Sequence, residues 1–288
     1  MANQENSFKG FRIRDLFYLL IFPALITALM FLPASIRTIL KLNLKDPRWW
    51  QYFTSAFIHN NLYPHLSLNI IAYFVLVIPL FILVCSRTNK KRDYYKIMFF
   101  IILSFPIISS VLQVLIFNNT YLFNLDYSCG SSGIIAALAG IIPAFWILSL
   151  SKKDDFKIKR IFYFLILFYV IWFFVFSYEN SILVKLVFSA MLFALLLFYL
   201  KGLYGITLEI KKEFKENWLV GLIFIFLSFI FLIFPGFLYP STQSLLNGTS
   251  HDDFLVHFFG LAYGVIVSFT FFIFADKKRK NKSPPKRA

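Results

Sequence analysis

The sequence predicts an all-α polytopic membrane protein, and three observations predict it. Mean hydropathy is +0.72, with 59% hydrophobic and 20% aromatic residues, more apolar than a soluble domain of this length. Apolar runs of the ~20 residues needed to cross a bilayer recur along the chain. Lys and Arg cluster in alternate loops between those runs, the asymmetry that orients membrane helices with their basic loops in the cytoplasm.

Eight spans are expected, at Leu16–Pro33, Pro64–Cys85, Ile97–Phe117, Ser132–Leu150, Ile161–Ser177, Ile182–Leu200, Trp218–Phe234 and Phe254–Ala275. The first runs on into PASIRTIL without a cleavage pattern and reads as a retained span. Residues 1–15 then form a cytoplasmic segment, 16–275 the membrane domain and 276–288 a basic cytoplasmic tail. Both termini are expected in the cytoplasm, most simply of a cell membrane. The loops FNNTYLFNLDYSCG, SYEN and PGFLYPSTQSLLNGTSHDD lack Lys and Arg, as outer loops should. Residues 33–63 break the pattern with Arg37, Lys41, Lys45 and Arg48. Their RWWQYF core reads as an interfacial element on the outer leaflet, aromatic rings at headgroup level and cations reaching phosphates.

The formal net charge of +15 does not imply nucleic acid, because short juxtamembrane loops carry it and lipid headgroups account for it. Cys85 and Cys129 fall on opposite sides of the membrane and cannot pair. No metal cluster or cofactor motif is present. A transporter would carry charges across the midplane, whereas the only basic residue within a span is Lys185, near an outer end.

Polar groups inside spans are costly and mark candidate sites. In HLSLN, His65 and Asn69 share one helix face; alone, the pair reads as packing. In GSSG, Gly130 permits a positive φ, and Ser132 opens a span whose small residues Gly133, Ala136, Ala137 and Gly140 admit another helix closely. In HFFGLAYG, His257, Gly260 and Gly264 share a face. All three spans run inward from the outer side, so Ser132, His257, His65 and Asn69 lie at similar depth. Nucleophile, base and oxyanion donors are thereby expected together.

At these residues the sequence resembles the rhomboid intramembrane serine proteases, whose signatures here read WWQYFTSAFIH, HLSLN, GSSG and HFFGLAYG in the family order. The resemblance implies a six-helix core, with Ser132 as nucleophile and His257 as general base. It also implies that His65, Asn69 and the Ser132 N–H bind the oxyanion, with Gly130, Gly133, Gly260 and Gly264 as structural support. Substrates would be transmembrane segments of other proteins, cleaved near the outer leaflet without a cofactor; lipids are the other partner. The alternative is a rhomboid-fold pseudoprotease that binds membrane clients without cleavage.

Three departures bear on these expectations. Gln51 stands where the family often has a loop-stabilising Arg, so the first loop is expected to be less rigid. Ala136 stands where many members stack an aromatic on the catalytic histidine. Ser132 and His257 are 257 − 132 = 125 residues apart, three intervening helices instead of one. Residues 161–200 are therefore read as an inserted hairpin, Trp218–Phe234 as the gating helix and Pro235–Asp253 as its cap. Asp253, four residues before His257, could orient it.

Overall fold

The computed structural model describes residues 12–88, 90–119, 127–150, 165–173, 175–176, 181–199, 217–238 and 254–280, with isolated residues between 204 and 215. In chain order these form α1 (Ile13–Met30), α2 (Ala34–Leu40), β1 (Leu42–Asn43), α3 (Gln51–Thr54), α4 (Ser67–Arg87) and α5 (Lys91–Asn119). Then come β2 (Tyr127–Ser128), α6 (Ser132–Gly140), α7 (Ile142–Leu150), α8 (Ile182–Phe198), α9 (Trp218–Leu238) and α10 (Phe254–Lys280). Residues 165–173 are also helical. Of the expected cap, residues 235–238 continue α9, and 239–253, with Asp253, lie outside the described residues.

Among the described residues, five helices are long and apolar enough to cross a bilayer: Ile13–Met30, Leu62–Arg87, Lys91–Ile116, Ser132–Ser149 and Val256–Ile273. Ile182–Phe198 and Trp218–Leu232 are shorter apolar helices. This is an all-α polytopic membrane fold. The α6–α7 span is its centre, with 83% of its window buried against 28–44% for the other four. Small residues make that possible, since the run from Gly133 to Gly140 is buried throughout. By contrast α8, in the expected hairpin, buries no residue. Residues 165–173 attach it inward: Trp172 Nε1 donates to Ser189 Oγ at 2.9 Å and Tyr169 OH to the Leu232 carbonyl of α9 at 2.8 Å.

Prolines inside membrane helices leave carbonyls that other groups must satisfy. Pro23 removes the donor for the Leu19 carbonyl, and the fully buried Tyr73 of α4 supplies one at 2.9 Å. Tyr73→Phe should therefore strand that carbonyl and cost about 1–3 kcal/mol. An unchanged thermal midpoint in detergent would contradict this. In the first turn of α1, Asp15 accepts from Lys91, from the Tyr95 hydroxyl at 3.0 Å and from the Arg12 N–H at 2.7 Å, fastening α1 to α5.

The first loop is better braced than Gln51 alone led one to expect. Gln51 is 5% exposed. Its amide donates to the Ile39 carbonyl at 3.0 Å and its oxygen accepts from Arg48 N–H at 2.9 Å and Asn43 N–H at 3.3 Å. Thr54 Oγ1 adds a bond to the Leu40 carbonyl at 2.8 Å. A neutral amide, donor and acceptor at once, can join both kinds of backbone group, which a guanidinium cannot. The loop is tied onward by an antiparallel pairing of β1 with β2, Leu42 opposite Ser128 and Asn43 opposite Tyr127.

Candidate active site

The β1–β2 pairing delivers the chain to Gly130, where the backbone turns into α6. Gly130 has φ +130°, a conformation L side chains rarely adopt, and a Cβ there would come within 3.1 Å of His65 Cε1. The Gly130 N–H donates to the Ser55 carbonyl at 3.1 Å, fixing the turn to the first loop. Gly130→Ala meets both obstacles, backbone strain of about 1–3 kcal/mol and contact with His65. It should slow any reaction at Ser132 by ~10-fold or more; an unimpaired variant would show that His65 need not stay where it is.

Ser131 and Ser132 part at this turn. Ser131 is fully buried. Its hydroxyl does not cap the helix but approaches His59 Nε2 at 3.1 Å, and its N–H donates to the same nitrogen at 3.3 Å. Ser132, the first residue of α6, is partly exposed and lines a cavity of about 310 Å³. His65, Ser109, Ser110 and Gln113 share that cavity. Gln113 is 5% exposed and its Oε1 is buried without a hydrogen-bond partner. The first intrahelical bond near this terminus is Ile135 N–H to the Ser131 carbonyl at 3.0 Å, so earlier N–H groups of α6 stand at the cavity wall, where an anion is favoured.

His59 had no role in the sequence reading, although it ends the WWQYFTSAFIH stretch. It is 1% exposed, and Asn69 Nδ2 meets its Nε2 at 3.0 Å. The His65 ring lies edge-on with centroids 5.0 Å apart. The shared face of His65 and Asn69 thus converges on a third residue. Asn69 and Ser131 N–H both offer protons to Nε2, so the neutral ring carries its own proton on Nδ1. Burial, then the charge of His65, lowers the His59 pKa to about 4.

That depression has a pH consequence. A folded-state pKa near 4 against ~6.5 unfolded means the unfolded chain binds the extra proton first as pH falls. The neutral His59 costs nothing above about pH 6.5 and progressively destabilises the fold between 6.5 and 4, by up to about 3 kcal/mol. The thermal midpoint of wild type should fall over that window more steeply than that of His59→Gln; parallel profiles would contradict the assignment.

His257 is 7% exposed, on the first turn of α10. What brings α6 and α10 together is their small faces. A Cβ on Gly133 would overlap Val256, on Gly260 it would meet the Gly133 carbonyl and Ala136 Cβ (the latter at 3.1 Å), and on Gly264 it would overlap the Ala137 carbonyl. The residue before His257 therefore touches the residue after Ser132. Ala136, fully buried, points at Gly260, which explains why no aromatic fits there. Ser104 Oγ and Tyr263 OH, 2.8 Å apart, hold α10 to α5 as well.

A membrane bundle with a serine and histidines at one end of its central helix defines a class, and comparison with known sequences narrows it. The rhomboid domain family model matches residues 46–184, a stretch containing His59, His65, Asn69, Gly130, Ser132 and Gly133 but not His257. Over those residues the chain carries a rhomboid domain. No curated protein and no solved structure matches it.

Proposed function

We propose that the protein is an intramembrane serine endopeptidase cleaving transmembrane segments near the outer leaflet of a cell membrane, with both termini cytoplasmic. One observation carries the reading: Ser132 opens α6 onto a polar cavity that it shares with His65, while Gly260 and Gly264 bring the His257 helix against the same helix. Ser132 attacks the scissile carbonyl as His257 takes the hydroxyl proton. The Ser132 N–H, His65 and the remaining amide proton of Asn69 stabilise the oxyanion. His257 then returns the proton to the leaving amine, and water hydrolyses the acyl-enzyme with His257 again as base. Water is needed below the membrane surface, and Ser109, Ser110 and the open acceptor of Gln113 make the cavity wall hospitable to it.

Within this reading, residues 161–200 are an accessory hairpin, and α9 is the gating helix. His257→Ala should lower cleavage of a single-span substrate in liposomes by ~10³-fold or more while leaving the fold intact. A folded variant as active as wild type would remove His257 from the mechanism. Binding of single-span clients by a folded wild type that cleaves none would favour the pseudoprotease alternative.

A further inference from the structure

The segment that carries His59 is held from an unexpected direction. Ile58 ends a 3₁₀ turn in extended conformation, and the chain stays irregular to Asn61, so carbonyls here need donors from elsewhere. Arg37, on α2, supplies them. Its Nη1 donates to the His59 carbonyl at 3.0 Å and the Asn60 carbonyl at 3.2 Å, and lies 3.3 Å from Met30 Sδ at the end of α1. α2 itself buries no residue. Ile36 and Ile39 are 43% and 53% exposed, so α2 has no apolar core of its own to dictate where it lies. Arg37 reaches inward from it across the membrane-proximal loop to the peptide that orients the His59 ring.

We infer that Arg37 is a positioning residue of the active centre, acting through the His59–Asn60 peptide to keep His59 Nε2 on Ser131 and Asn69. The consequence lies at the reacting residue, because Ser131 fixes the start of α6 and Ser132 follows it. Releasing the peptide lets the His59 ring turn, frees Ser131 N–H and Asn69 Nδ2 together, and loosens both the nucleophile's backbone and an oxyanion donor. Gln51 braces the same loop through hydrogen bonds at Ile39, Asn43 and Arg48, whereas the His59 and Asn60 carbonyls accept from Arg37. The two side chains therefore do separate work, and the loss of the family arginine at 51 does not leave the site without a guanidinium.

The catalytic half of this inference rests on the protease reading, so the test has one arm that does not. Wild type, Arg37→Met and Arg37→Lys are purified with ¹⁵N-histidine, the His59 signal being assigned by its loss in His59→Gln. Labelling of each by a fluorophosphonate is timed in detergent. Wild type should show His59 with an unprotonated, hydrogen-bonded Nε2. Arg37→Met should lose that signature and label about tenfold more slowly; Arg37→Lys, which keeps the charge and its donors, should restore both in large part. A merely structural role would lower the thermal midpoint without altering the His59 signal.

Arg37→Met with an unchanged His59 signature overturns the inference, whatever its labelling rate. If Arg37→Met does not fold, Arg37→Lys carries the test against Arg37→Gln: a Gln variant matching wild type in both signal and rate is equally fatal. Absence of labelling in folded wild type overturns the protease reading instead, and the His59 spectra alone then decide whether Arg37 positions the ring.

Discussion

A Gly264→Leu variant is expected to lose essentially all activity while Ser132 and His257 remain in the chain. The space for a side chain at 264 is already occupied by backbone: a Cβ would overlap the Ala137 carbonyl and lie 3.0 Å from Gly140 Cα. Backbone cannot rotate away as a flexible side chain can, so α10 must move outward or turn. Overpacking of this kind costs about 1–3 kcal/mol and sometimes more. A displacement of ~1 Å at reacting groups can cost ~100-fold in rate. Because lipid tails are as apolar as the helix surfaces, no solvent pressure pushes the pair back together. Gly264→Ala, with a single methyl, should fall between wild type and Leu in both cleavage rate and thermal midpoint. Full activity in a folded Leu variant would show that the close helix contact is not what aligns the site.

The adjacent serines should give opposite results. Ser132→Ala removes the hydroxyl at the cavity and is expected to lower cleavage by ~10⁴-fold or more. Ser131→Ala removes a buried hydroxyl 3.1 Å from His59, but the Ser131 N–H, which also reaches Nε2, stays. The loss should be near the ~1 kcal/mol of one net hydrogen bond, so Ser131→Ala keeps activity within ~10-fold and still labels with a fluorophosphonate. The reverse pattern would move the nucleophile one residue and discard the assignment of the cavity.

What could be read from the chain followed the strongest physical constraints. Hydropathy located the helices because hydrocarbon admits only helical backbone or closed barrels. The Gly133–Gly140 and Gly260–Gly264 faces were legible because close packing in lipid requires small residues at helical spacing. Irregular backbone was the opposite case. His59 lies where periodicity carries no information, and its contact with Asn69 spans ten residues and that with Ser131 seventy-two. A histidine between Phe57-Ile58 and the following span was the only hint, and a buried polar ring among apolar neighbours needs partners. Gln51 was misjudged for a related reason: the expected arginine suggested a donor, whereas the loop needed a donor and an acceptor together. Ala136 departed from the family habit because Gly260 faces it, a relation visible only once α10 is docked.

Cleavage by purified protein in liposomes carrying a single-span substrate, wild type beside Ser132→Ala, tests the central claim most directly. The substrate should have helix-breaking residues near its outer end. The expected result is two fragments from a cut near the outer leaflet with wild type and none with Ser132→Ala, with fluorophosphonate attached at Ser132 in the wild-type digest. Equal fragment yields from the two proteins, or a folded wild type that neither cuts nor labels, would contradict a serine protease centred on Ser132.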